Sequence, residues 1–204
     1  MPLMVNRLWH MLVGWGTVGV VYQLTDTFQQ PGIILMPSFI DRAIPFSPAG
    51  IWLYLSFFLI IPLAYLTCPA HRLRWLRNSM MVTALLAGVV YMLWPTTMAY
   101  PAFTQNTLSG RLLTRLADVD STQNCLPSLH MALTVLAVWA VSSTRWKICA
   151  YVLWSLAIAF SILQLRRHLF VDLLSGTALA LSVGALLWRL MFVSRSGQKE
   201  SAHG

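Results

Sequence analysis

The side chains best suited to chemistry are two histidines 38 residues apart. His168 stands in Leu165-Arg-Arg-His-Leu-Phe-Val-Asp172, four residues ahead of a carboxylate. An i,i+4 pair shares one helix face. A carboxylate beside an imidazole fixes which ring nitrogen carries the proton and leaves the other as a nucleophile. Arg166 and Arg167 precede the pair, and guanidinium forks match the oxygens of a phosphate. A helix beginning here also points free N–H groups at an anion. His130 stands in Cys125-Leu-Pro-Ser-Leu-His. Pro127 suits the opening of a helix, and Ser128 can cap it or bond a ligand oxygen. An imidazole in that first turn can serve as general acid toward a leaving group. One oriented histidine, one free histidine and two arginines make a phosphoryl-transfer set. The six carboxylates of the chain are scattered, so no Asp/Glu cluster is offered to Mg²⁺, and neither metal nor cofactor is expected.

Such a set needs rigid elements to hold it. Of 204 residues, 57% are hydrophobic and 10% charged, with a mean hydropathy of +0.66. A soluble domain carries roughly 25% charged residues, so a soluble globular protein, a disordered chain and a nucleic-acid binder are excluded. A membrane span needs roughly 17–25 mostly apolar residues. Six segments qualify: Leu8–Leu24, Ile51–Thr67, Ser79–Met98, Leu129–Ser143, Ile148–Leu165 and Leu169–Val193. The first follows Arg7 and lacks a small-residue cleavage site, so it reads as a retained helix rather than a signal peptide. The expected fold is an all-α integral membrane protein, a six-transmembrane-helix bundle. It forms a single catalytic domain over residues 1–193, and the polar tail 194–204 is expected to be disordered.

The net charge of +8 reads as the basic loops that set orientation. Six spans put both termini on one side. That side carries nine of the fourteen basic residues, including Arg72, Arg74 and Arg77, and is expected to be cytoplasmic. The two long loops, Thr25–Gly50 and Ala99–Ser128, then lie outside with both histidine motifs. A bacterial inner membrane with the site facing the periplasm is the expected setting. The expected partners are a lipid phosphate substrate and the bilayer, with no nucleic acid. His10, His71 and His203 are assigned no function, and Cys68, Cys125 and Cys149 are expected to form no disulfide. Two readings from other classes compete: a haem protein with axial histidines, and a transporter or assembly partner without catalysis. A visible spectrum would decide the first. The second should put polar residues at the bilayer midplane, where Thr83, Thr134 and Ser155 look like ordinary packing residues.

Pro127-Ser-Leu-His130 resembles the Pro-Ser-x-His motif of the type 2 phosphatidic acid phosphatase superfamily, and His168-Leu-Phe-Val-Asp172 resembles its His-x-x-x-Asp motif. Ser161-Ile-Leu-Gln-Leu-Arg-Arg-His is most similar to the branch holding inositol phosphorylceramide synthases and sphingomyelin-synthase-like proteins, with weaker likeness at Leu93-Trp-Pro-Thr96 and Ile44-Pro-Phe-Ser-Pro48. The resemblance covers most of residues 44–176. It implies a metal-independent lipid phosphate phosphatase acting at the outer leaflet, or a phosphotransferase that passes the group to an acceptor alcohol or lipid. It implies that His168 attacks phosphorus to form a phosphohistidine, Asp172 orients it, His130 protonates the leaving group and Ser128 helps hold the phosphoryl oxygens. The first family motif, Lys with six residues before Arg-Pro, is absent, and Ile162 stands where an arginine is usual. Arg166 and Arg167 are the expected substitutes, with Arg111, Arg115 or Arg42 reaching in from the outer loops.

Overall fold

The computed structural model describes residues 3–28, 31–103 and 106–193. The expectation for the tail 194–204 lies outside them. In chain order the elements are α1 (Leu3–Phe28), β1 (Ile33–Leu35), α2 (Phe39–Ala43), α3 (Ile51–Leu55), α4 (Phe57–Thr67), α5 (Leu73–Leu93), β2 (Thr96–Met98), α6 (Leu108–Val119), α7 (Leu129–Val141), α8 (Arg145–Gln164) and α9 (Phe170–Trp188). A π-helical turn, Arg189–Val193, extends α9. Among the described residues, four helical stretches are long and apolar enough to cross a membrane: Pro48–Thr67, Ala70–Leu93, Arg145–Gln164 and Phe170–Phe192. The chain is an all-α membrane protein.

Local chemistry sets the boundaries. Ser38 and Asp41 form a reciprocal capping box at the start of α2. Thr107 caps α6, and Ser128 caps α7 by accepting the Met131 N–H. The third predicted span is misplaced at both ends. Its helix begins at Leu73, because a polar first turn (Arg74, Arg77, Asn78) does not prevent helix formation. It stops at Leu93, because Pro95 cannot continue it. Residues beyond the stop instead form β2, which pairs in parallel with β1 inside the predicted loop Thr25–Gly50. That loop also loses its first residues to α1 and contributes α2.

At the centre stands α7, only 13 residues long and apolar. Ala132, Leu133, Leu136, Ala137 and Ala140 are buried, as expected of a helix surrounded by protein. It packs on α4, α5, α8 and α9, while α1 lies across α5 and α4. One end of the bundle is basic. There Arg7 donates to the carbonyls of Tyr65 and Cys68 (2.7 and 2.9 Å), and Arg72 donates to the last carbonyls of α7, including Trp139 and Ser142. The histidines lie at the other end, where α7 and α9 begin.

Those two helix starts are stitched together. The Ser128 N–H donates to the Asp172 carbonyl at 3.0 Å, and α9 passes so close that a Cβ on Gly176 would sit 2.3 Å from the Ser128 carbonyl oxygen. The obstacle is backbone, so it cannot rotate away. Gly176→Ala is therefore expected to cost about 1–3 kcal/mol and to move His130 off His168. A lower thermal midpoint in detergent together with lost turnover is the expected result; an unchanged midpoint would contradict the close approach.

Candidate active site

The site is assembled from four short pieces. The first is the turn between α8 and α9. The Arg167 N–H bonds the Ile162 carbonyl and the Arg166 N–H bonds that of Leu163, both at 3.1 Å, which closes α8 in a Schellman arrangement. The left-handed position in such a turn usually belongs to glycine, yet here it is Arg166, at φ 51°. That conformation costs a non-glycine residue of order 1 kcal/mol. It reverses the chain and carries His168 inward.

His168 precedes α9 rather than lying on it, so the expected shared helix face is corrected: a turn, not helical periodicity, brings His168 and Asp172 together. The nearest partner of His168 Nδ1 is the Cys125 carbonyl oxygen at 2.9 Å, while Asp172 Oδ2 stands at 3.5 Å. A carbonyl only accepts, so Nδ1 carries the proton and Nε2 holds the free lone pair. Asp172 is fully buried, and its Oδ2 accepts the Leu169 N–H at 2.8 Å. It thus fixes the His168 turn as well as facing the ring.

The second piece is the start of α7. The His130 ring meets that of His168 edge-on, with centroids 5.6 Å apart. Ser128 is buried, and its hydroxyl oxygen accepts the Met131 N–H as the helix cap.

The third piece is Asp120, which sequence reasoning missed. Arg167 gives both Nε–H and Nη2–H to its Oδ2, at 3.1 and 2.8 Å. The Tyr22 hydroxyl donates to Oδ1, and the Tyr54 hydroxyl lies 3.4 Å from Oδ2 and 2.8 Å from His130 Nε2. Burial alone would raise the Asp120 pKa. The positive charges of His130 and Arg167 and the Tyr22 hydrogen bond outweigh it and hold the carboxyl below its usual range. Burial likewise works against the Arg167 charge, and Asp120, Tyr54 and Tyr100 together more than offset it. Arg167 is therefore half of a buried ion pair stacked over Tyr100. Arg166 donates through Nη2 to the Ile44 carbonyl at 2.7 Å, while its buried Nη1 has no partner. Arg111 and Arg115 on α6 and Arg42 on α2 are exposed.

The fourth piece, also missed, is Asp41. Its Oδ1 accepts the Phe170 N–H at 2.8 Å and its Oδ2 accepts from Ser38. A buried carboxylate thereby caps the first turn of α9 from 129 residues away. A carboxylate rare in an apolar chain was the only available signal for Asp41 and Asp120.

Cys125, His168 and Asp172 place ligand atoms within 4.8 Å of one another. His168 Nδ1 and Asp172 Oδ2 are committed to backbone partners, and burial pushes the Cys125 thiol up to about 12. A cation held through Cys125 would have to displace its thiol proton.

Residues 43–186 match the family model described as the PAP2 superfamily. No curated protein and no solved structure matches the chain.

Proposed function

Because the chain belongs to the PAP2 superfamily, whose chemistry is of the phosphatase type on lipid phosphates, we propose that it is a metal-independent lipid phosphate phosphatase working through a phosphohistidine. The observation that carries this reading is the histidine pair: His168 with Nδ1 bound to a carbonyl and Nε2 free, and a second imidazole ring 5.6 Å away.

The lone pair on His168 Nε2 attacks phosphorus, and the bond from phosphorus to the lipid oxygen breaks. His130, protonated beside the phosphate charge, gives its proton to the departing oxygen. Water then loses a proton to His130 and attacks phosphorus, which releases phosphate and restores both rings. The Cys125 carbonyl and Asp172 hold the Nδ1–H tautomer and stabilise the positive ring as the P–N bond forms.

Six crossings with both termini cytosolic, and a site at the periplasmic leaflet of a bacterial inner membrane, complete the proposal. The separation of the histidines from the basic end of the bundle supports it, since positive loops favour the cytosol. One observation favours a second reading, transfer of a phospho-headgroup as in the inositol phosphorylceramide and sphingomyelin synthase branch. Arg167 is neutralised by Asp120, and Asp172 and Asp41 lie close by. Such a charge balance suits a singly charged phosphodiester better than a doubly charged monoester.

The test offers purified protein phosphatidate, an isoprenyl diphosphate and phosphatidylglycerol phosphate with EDTA present, and measures both free phosphate and new lipid. Released phosphate is the expected result, and a new phospholipid made from an added acceptor would select the transfer reading. Strict dependence on an added divalent cation would overturn the metal-free mechanism.

A further inference from the structure

A cavity of about 280 Å³ opens between α1, α4, α6 and α7. Its walls are apolar: Trp15, Val18 and Gly19 from α1, Phe57 from α4, Leu116 from α6 and Leu133 from α7. Its polar end is the catalytic one, where Tyr22, Tyr54, Asp120 and His130 line it. Val18, Phe57 and Leu133 are buried, whereas Gly19, Phe58 and Val119 are exposed at the rim. The groove is thus open along its side within the apolar part of the bundle and closed by polar groups at the histidine end. Its α1 wall lies outside residues 43–186, the part of the chain that matches the family.

We propose that one hydrocarbon chain of the substrate lies in this groove, so that α1 sets selectivity for the lipid chain while His130 and His168 handle the phosphoryl group. The inference rests on the phosphatase reading for its substrate. The occupant follows from the lining: an apolar trough ending at an imidazole suits a ligand with a long apolar tail and a phosphate head. A chain seated there would leave the phosphate beside His130 and bury apolar surface that the headgroup cannot supply.

Gly19 allows a clean test. A Cβ there meets nothing within 4 Å, and the same is true of Gly16, one turn earlier on α1 but not part of the groove. Either position accepts a side chain without a clash, so both variants are expected to fold. Gly19→Phe should lower the ratio of long-chain to short-chain kcat/KM roughly tenfold, the equivalent of about two methylenes kept out of an apolar site. Gly16→Phe should leave that ratio unchanged. A ratio unmoved by Gly19→Phe, or moved as much by Gly16→Phe, overturns the inference.

Retention of a long-chain alkyl phosphonate, read by native mass spectrometry, separates failure of the groove from failure of the phosphatase reading. If the unaltered protein hydrolyses neither substrate, the phosphatase reading fails. The groove then stands or falls on whether the phosphonate is retained, lost in Gly19→Phe and kept in Gly16→Phe.

Discussion

His168→Gln should abolish turnover, by about 10³-fold or more, without changing helical content or elution in detergent. The side chain is only 6% exposed, yet its ring makes one strong hydrogen bond, to the Cys125 carbonyl. Removing it deletes the Nε2 lone pair of the ring that packs against His130, while the helices that frame the site keep their own contacts. His168→Asn is a stricter version, because its amide N–H can take the place of the Nδ1–H and preserve the Cys125 contact. Loss in both variants separates lost nucleophile from lost packing. A companion experiment divides the two histidines. His130→Asn should slow a substrate with a poor leaving group far more than one with an acidic phenol as leaving group, since the phenolate departs without a proton. His168 variants should be silent on both. The mechanism is falsified if His168→Gln retains full activity, or if an acid-labile phosphoprotein forms equally well without His168.

Arg167→Met should be the most damaging single change to stability, costing about 3–5 kcal/mol. The methionine fills much of the space of the arginine stem, but Asp120 is left with a buried charge and only tyrosine hydroxyls to answer it. Asp120→Asn should cost less, because its amide oxygen can still accept from Arg167, although its NH2 cannot accept the Tyr22 hydroxyl. The double variant Arg167→Met/Asp120→Asn should recover much of the loss, so the two changes will be strongly non-additive. Thermal midpoints of the four proteins in one detergent measure this directly. Additive losses would mean that the pair is too hydrated for the charge to matter. Activity should not return with stability in the double variant, since Asp120 also holds Tyr54 against His130.

Much of the architecture was legible along the chain. Runs of apolar residues at span length identified the helices of the bundle, because the bilayer demands the same local property at every crossing. The fourth predicted span, Leu129–Ser143, agrees with α7 within two residues, since Ser128 caps its start and a polar run follows its end. The third span was misread because hydropathy cannot distinguish an apolar helix from the apolar strand Thr96–Met98 that follows Pro95. Pro127-Ser-Leu-His and His168-x-x-x-Asp were legible as motifs because their spacing is short.

The partners of those motifs were not. An i,i+4 rule placed His168 and Asp172 on a helix, whereas a turn with Arg166 at positive φ places His168 before it. Arg166 and Arg167 read as two equivalent phosphate ligands. Packing gave one to the Ile44 carbonyl and the other to Asp120.

By itself the sequence determined the membrane setting, the helical class and the two histidine motifs, all consequences of composition and of spacings within a turn or two. Tertiary structure alone decided that His130 faces His168, that Asp120 occupies Arg167, that Asp41 caps α9, and that α1 supplies a wall to the groove. The physical reason is range. Helix formation and hydropathy depend on neighbours a few residues away. Charge pairing, tautomer choice and cavity shape depend on distances of a few ångströms between groups 38 to 129 residues apart, and only the packed bundle sets those distances.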